Sequence, residues 1–188
     1  MPFGRGKKPF IPLDEPALFD YAVKALGRRM RTEAELRRLM RTRVESEASG
    51  GERIDAVLLR LTEYGYLNDA AFAETYARLR QENEKFGLRR VQQDLKQKGV
   101  SDTLIATTLD AQYGQTDEAA LARLHLERKR IRKPENEKET ARVMRRLVMA
   151  GFSTGAIRQV LRQWDVPEEA LTALDSLGSN LDEQVHEE

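Results

Sequence analysis

The chain contains no cysteine. Disulfide frameworks, zinc ribbons, iron–sulfur sites and thiol nucleophiles are thereby excluded, and a reducing, cytoplasmic setting is expected. Histidine is nearly absent as well, and His125 and His186 are too few for a histidine-rich metal site. Aromatic residues are only 6% of the chain, little for an all-β sandwich. No run of about 18 uncharged apolar residues occurs, so neither a membrane span nor a membrane partner is expected. The basic start, with Arg5, Lys7 and Lys8, is followed by no apolar run of signal-peptide form. Gly4-Arg5-Gly6 and Gly50-Gly51 lack the lysine spacing and preceding strand of a phosphate-binding loop. Excess charge of one sign is missing too: 32 basic against 31 acidic residues leave +1, which excludes a uniformly basic nucleic-acid coat and a polyacidic tail. The carboxylates are scattered among arginines, with no sequence reason for a perturbed pKa, so neither catalysis nor a cofactor is expected.

What is present is helical. Across 188 residues, 40% hydrophobic and 34% charged, the text is dominated by Ala, Leu, Arg, Glu and Gln, which lose least on entering a helix. The fold class is therefore all-α. Leu18, Tyr21, Ala22, Ala25 and Leu26 share one helical stripe. Thr32 with Glu35 has the form of a capping box and opens a helix burying Leu36, Leu39 and Met40. Ser49-Gly50-Gly51 is expected to break the pattern before a third helix with Ile54, Val57, Leu58 and Leu61, ended by Gly65. A second set follows with Phe72, Tyr76 and Leu79, then Leu88, Val91 and Leu95, then Ile105, Leu109 and Tyr113; Asn68 and Ser101 are candidate N-caps. A third has Leu121 and Leu124, then Val143, Met144 and Leu147, then Ile157, Leu161 and Trp164, with a short helix from Pro167 holding Leu171 and Leu174.

A true repeat superposes breakers as well as apolar residues. Val91, Leu95, Gly99, Val100, Ile105 and Leu109 fall on Val143, Leu147, Gly151, Phe152, Ile157 and Leu161, each 52 positions later. The first module fits more loosely, with Leu36 over Val91, Ile54 over Ile105 and Leu58 over Leu109. The expectation is three tandem three-helix bundles forming an elongated, curved module. Their bounds are 17–67, 68–115 and 116–177, between a flexible N-terminal tail (1–16) and a flexible acidic tail (178–188).

Two constellations bear on function. Leu147 to Leu161, copied by Leu95 to Ile105, has the shape of a helix-turn-helix. A reader of base edges needs Arg, Asn or Gln at the exposed start of its second helix, but Thr154, Gly155 and Ala156, or Asp102 and Thr103, stand there. Packing is the better reading. The second constellation is basic. Arg128, Lys129, Arg130, Arg132 and Lys133 form the densest run, followed by Arg142, Arg145 and Arg146; others gather at Arg28, Arg29, Arg31, Arg37 and Arg38, and at Arg89 and Arg90. They are candidate contacts to phosphates or to a partner's carboxylates. The competing reading is a solvated face, with Glu127, Glu135, Glu137 and Glu139 pairing with the strongest run at under about 1 kcal/mol each.

Tyr64-Gly65-Tyr66-Leu67-Asn68-Asp69, with Phe72-Ala73 and Tyr76-Ala77, resembles the RecX family, bacterial regulators of the RecA recombinase. The likeness continues through Phe86-Gly87-Leu88-Arg89-Arg90-Val91, Leu95 to Val100, and Gly151-Phe152 with Ile157 and Leu161. Arg31-Thr32-Glu33-Ala34-Glu35-Leu36 is similar to the family's Arg-Ser-Glu segment, and Ala150 departs from the Arg that often precedes Gly-Phe. The motif residues read as shape-forming: Gly65 ends a helix, Asn68 or Asp69 caps the next, and Tyr66 and Leu67 staple two modules. The resemblance implies a protein without chemistry of its own that binds along the groove of the RecA–single-stranded-DNA filament. It would act mainly as an inhibitor, restraining filament growth, ATPase, strand exchange and coprotease activity. Weak non-specific binding of single- or double-stranded DNA and a monomeric state accompany that expectation. The alternatives are a helix-turn-helix-like DNA-binding or transcription regulator, and a helical-repeat adaptor with no nucleic-acid role.

Overall fold

A computed structural model describes residues 11–46, 48–167 and 171. Among the described residues there are nine α-helices and no strand, as the composition requires. They are α1 (Glu15–Leu26), α2 (Glu33–Arg41), α3 (Ala48–Glu63), α4 (Asp69–Glu84), α5 (Leu88–Gln97), α6 (Asp102–Tyr113), α7 (Glu118–Arg128), α8 (Glu137–Met149) and α9 (Thr154–Arg162). Most of the N-terminal segment 1–16, all of 178–188, and Leu174 lie outside the described residues; Leu171 is buried. By contacts the chain divides into two compact units. One runs through Phe72 and includes Lys98–Val100; the other comprises Ala73–Gln97 and Ser101 onward.

In the first unit, α1, α2 and α3 pack pairwise around Leu18, Ala22, Leu36, Met40, Ile54, Val57, Leu61 and Leu67. Helix α1 starts at Glu15, where the Asp14 carboxylate accepts the Ala17 amide at 3.0 Å and Pro16 occupies the first turn. Half of the expected capping box forms at α2. Thr32 accepts the Glu35 amide at 3.1 Å, but the Glu35 carboxylate turns to Lys98 at 3.1 Å. Fully buried, Thr32 also donates its hydroxyl to the Lys98 carbonyl at 2.6 Å. Ser49-Gly50-Gly51 does not break the helical pattern: all three residues lie in the first turn of α3. A Cβ on Gly50 would overlap the Glu45 carbonyl oxygen, so glycine there serves close approach of the preceding turn.

The Gly-Tyr-Leu-Asn-Asp segment works differently at each residue. Gly65 is left-handed at φ +72°, and the Tyr66 amide closes on the Leu61 carbonyl at 2.9 Å. Leu67 joins the core, and Asn68 caps α4 by accepting the Ala71 amide at 2.9 Å. Asp69 instead accepts the Glu33 amide at 2.9 Å, at the start of α2. Tyr66 is no staple; it stands 56% exposed.

In the second unit, α5 packs on α6, and α9 packs on α7 and α8. The 52-residue correspondence holds in local geometry. Helices α5 and α8 end at Gln97 and Met149, Gly99 and Gly151 adopt φ of +79° and +88°, and α6 and α9 begin after Ser101 and Ser153. Ser153 accepts the Ala156 amide as a cap at 3.2 Å, whereas Ser101 occupies its N-cap position without a side-chain cap bond. The Ala150 carbonyl accepts the Gly87 amide at 2.8 Å, and a Cβ on Gly151 would overlap the backbone nitrogen of Arg90. Close backbone approach therefore joins the start of α5 to the end of α8. Leu79 and Leu124, expected among the apolar stripes, face solvent instead.

Candidate functional site

The fifteen basic candidates divide by the company they keep. On the first unit, Arg37 is held between Glu33 at 3.1 Å and Asp55, whose carboxylate raises its pKa further. Arg29 lies 3.8 Å from Glu35, and Arg31 donates to the Ala25 carbonyl at 3.4 Å. Arg28 and Arg38 are exposed, and Arg28 has no carboxylate partner among the described residues. Structural duties thus absorb much of this cluster.

Arg89 is exposed at the start of α5, but Arg90 is locked. Its Nε lies 3.1 Å from Asp94, one helical turn along, and its guanidinium sits 5.7 Å from the Phe86 ring centre. Asp94 also accepts the Tyr76 hydroxyl at 2.9 Å and lies 3.9 Å from Arg80, itself stacked over Tyr76. Burial, then Asp94, raises the Tyr76 pKa against the opposing pull of Arg80. Sequence reasoning did not single out Asp94. The signal was there in the Arg90–Asp94 and Tyr76–Arg80 pairs, both four residues apart.

The densest run lies at the end of α7 and beyond. Arg128 and Lys129 share Glu84 at 3.7 and 3.6 Å, and Lys133 meets Asp165 at 3.1 Å. The glutamates expected to neutralise the run do not do so. Glu139 turns back to accept the Glu135 amide at 3.0 Å, completing a cap with Asn136 at the start of α8. Among the described residues, Arg130, Arg132, Arg142, Arg145 and Arg146 pair with no carboxylate; Arg145 places its Nε 3.3 Å from the Ala141 carbonyl. All five are exposed.

Helix α8 explains the second half of this cluster. Thr140, Val143, Met144 and Leu147 form its buried stripe, so Lys138, Arg142, Arg145 and Met149 must line the opposite face. Arg130 has a different origin. It follows α7 at φ +54°, with its amide 2.9 Å from the Glu127 carbonyl and the Ile131 amide 2.9 Å from the Leu126 carbonyl. That is the left-handed position where helices usually place glycine. Lys85 and Asp165 hold the same conformation after α4 and α9. Guanidinium forks without internal partners bind phosphate or carboxylate oxygens bidentately.

The helix-turn-helix lookalike is chemically closed at its tip. Glu118 accepts the Ser153 amide at 2.7 Å and its hydroxyl at 2.5 Å, so a carboxylate already occupies the α9 N-terminus. Ala156 is buried. His125 is buried between Phe86 and Phe152, with Nδ1 3.0 Å from the Glu84 carbonyl; burial, aided by Lys129, lowers its pKa. No cluster of metal-ligating side chains occurs among the described residues, and no described helix is long and apolar enough to cross a membrane.

Comparison with known proteins bears on this arrangement. Residues 68–109 match the family model described as RecX, second three-helix domain. The chain is 34% identical over 144 residues to the regulatory protein RecX of Leptothrix cholodnii, covering 77% of this chain and 87% of that one. It is likewise 34% identical over 140 residues to the RecX of Chromobacterium violaceum, covering 74% and 86%. These relatives are named as regulatory proteins, not as enzymes. In fold it is similar to the crystal structure of RecX from Lactobacillus salivarius, with a TM-score of 0.62, 20% identity and coverage of 81% and 97%. A second RecX crystal structure gives 0.61 and 22%, covering 78% of this chain and 72% of that one. With two relatives alike over most of their length and the same helical fold, the chain belongs to the RecX family of regulatory proteins.

Proposed function

We propose that this protein is a modulator, mainly an inhibitor, of the RecA recombinase. It acts as a cytoplasmic monomer that lodges along the groove of the RecA–single-stranded-DNA filament and restrains filament growth, ATPase, strand exchange and coprotease activity. The observation that carries the reading is the set of exposed arginines at Arg130, Arg132, Arg142, Arg145 and Arg146 without carboxylate partners among the described residues, in a chain whose family is regulatory. Cations without internal partners are available to phosphates or to acidic side chains of the filament. Three helical repeats in series would let several such contacts act together, each raising the effective concentration of the next. Glu118 on the α9 N-terminus and Asp102 at the start of α6 disfavour the sequence-reading alternative, because both stand where a DNA phosphate would approach.

The test is RecA ATPase on single-stranded DNA with sub-stoichiometric protein. The expected result is a fall in rate together with shorter-lived filaments; an unchanged rate and unchanged filament lifetime would overturn the reading. Charge reversal at Arg130, Arg132 and Arg145 should weaken filament binding with helicity intact.

A further inference from the structure

The first unit carries an aromatic surface that begins at Phe19, half-buried against the core, and runs outward to two exposed tyrosines. Phe19 and Tyr64 meet edge to face at 6.0 Å between ring centres, and Tyr64 meets Tyr66 the same way at 6.4 Å, both at 88°. Arg60 covers one end: its guanidinium lies 4.6 Å from the Phe19 ring centre and is tied to Glu15 at 3.1 Å. Of the five tyrosines, Tyr113 is buried, and Tyr21 and Tyr76 are half-buried beneath Arg43 and Arg80. Tyr64 and Tyr66 stand 61% and 56% exposed. In a chain with so few aromatic residues, two neighbouring exposed tyrosines in contact with a third ring and an arginine amount to an aromatic platform. Tyrosine and arginine are the side chains that interfaces concentrate at their centres, because they offer area at small entropic cost.

The neighbouring charge decides what fits the platform. Arg60 is already neutralised by Glu15, while Asp20 follows Phe19 and Glu63 precedes Tyr64, both exposed. Counted over Glu15, Asp20, Lys24, Arg60 and Glu63, the charge on these stretches of α1 and α3 is net acidic, which disfavours a phosphate backbone and favours a cation. We infer that Phe19, Arg60, Tyr64 and Tyr66 form a protein-docking surface for a face presenting lysine or arginine, whose cation lies over the tyrosine rings and toward Glu63 and Asp20. This rests on the RecA reading and divides the labour: the aromatic surface meets the protein of the filament, and the α7–α8 arginines meet phosphate or acidic groups.

The experiment compares the full chain with Tyr64→Ala/Tyr66→Ala and with Asp20→Lys/Glu63→Lys. Binding is measured to RecA filaments on single-stranded DNA and to the same DNA alone, with a thermal melt of each variant. Both variants should bind the filament at least about tenfold more weakly. Affinity for DNA alone should be unchanged or, for the lysine pair, slightly higher. Wild-type-like filament binding by either variant overturns the inference, and so does an equal loss on naked DNA after removal of the rings, which would mark a base-stacking platform. Should the alanine pair unfold, the lysine pair, which leaves the rings in place, decides. If the unmodified chain binds no filament at all, the RecA reading falls and this inference with it.

Discussion

Arg130 is the residue at which stability and binding should move in opposite directions. It occupies the left-handed position closing α7 at φ +54°. A side chain there costs roughly 1–2 kcal/mol relative to the right-handed region. Glycine would remove that strain but would add unfolded-state entropy worth about 0.5–1 kcal/mol. Arg130→Gly should therefore stabilise the protein by about 0.5–1 kcal/mol net, because the exposed side chain makes no ion pair among the described residues. In a chain of this size that is a rise in Tm of roughly 1–4 °C. The same substitution removes one cation. If Arg130 neutralises a phosphate, the slope of log K against log salt for single-stranded DNA should become shallower by about 0.7. Thermal melts followed by circular dichroism and anisotropy titrations across a salt series read the two effects separately. A lower Tm would refute the strain argument, and an unchanged salt slope would refute a phosphate contact at this residue.

Four further substitutions test the fold that presents these groups. Phe152→Ala should cost about 3–5 kcal/mol, since the ring is 2% exposed, whereas Tyr66→Ala should stay within about 0.5 kcal/mol; denaturant melts of the pair separate core from surface. Thr32→Val should cost about 2–3 kcal/mol by removing the cap on the Glu35 amide and leaving the Lys98 carbonyl unpaired, and a loss below about 0.5 kcal/mol would contradict that role. Burial holds the His125 imidazole below its ordinary value of 6.5, so as pH falls the unfolded chain takes up this proton before the folded one does. Its stabilising contribution is therefore full above pH 6.5 and is lost as pH drops through the depressed folded value; His125→Phe should flatten that slope between pH 7 and 5.5.

Much of this was legible in the text, and the misreadings share a cause. Periodicity located the helices because burial on a helix repeats every 3.6 residues, and Gly99 and Gly151 marked equivalent left-handed turns 52 positions apart. Where the chain leaves regular structure, that periodicity says nothing about direction. Tyr66 and Leu67 are neighbours in one turn, yet Leu67 enters the core and Tyr66 faces out. Gly50 and Gly51 looked like a break because glycine is a poor helix former. Tertiary contact overrides propensity there, since only a residue without Cβ lets the Val44–Glu45 turn lie against α3. Lys85, Arg130 and Asp165 carry no such signature at all: each holds a glycine-like conformation with an ordinary side chain, which no composition rule reveals.

Charge illustrates the same limit where it bears most on function. A net +1 from 32 basic and 31 acidic residues says that pairing is arithmetically possible for nearly every cation. Which cations pair is settled by helix register. On the first unit Glu33, Asp55, Glu15 and Glu45 reach Arg37, Arg60 and Arg53. Beyond α7, Glu84 and Asp165 hold only the flanks of the basic run, and Glu139 turns to its own helix N-terminus. Glutamates next to the run in sequence therefore leave it unneutralised, while a glutamate more than forty positions away partly neutralises it. A charge count along the text treats neighbours as partners; a helix makes partners of residues three or four apart and of residues on facing helices. The guanidiniums left over by that geometry among the described residues are Arg130 and Arg132 within the densest basic stretch and Arg142, Arg145 and Arg146 beyond it, and these are the ones we propose for contact with a partner.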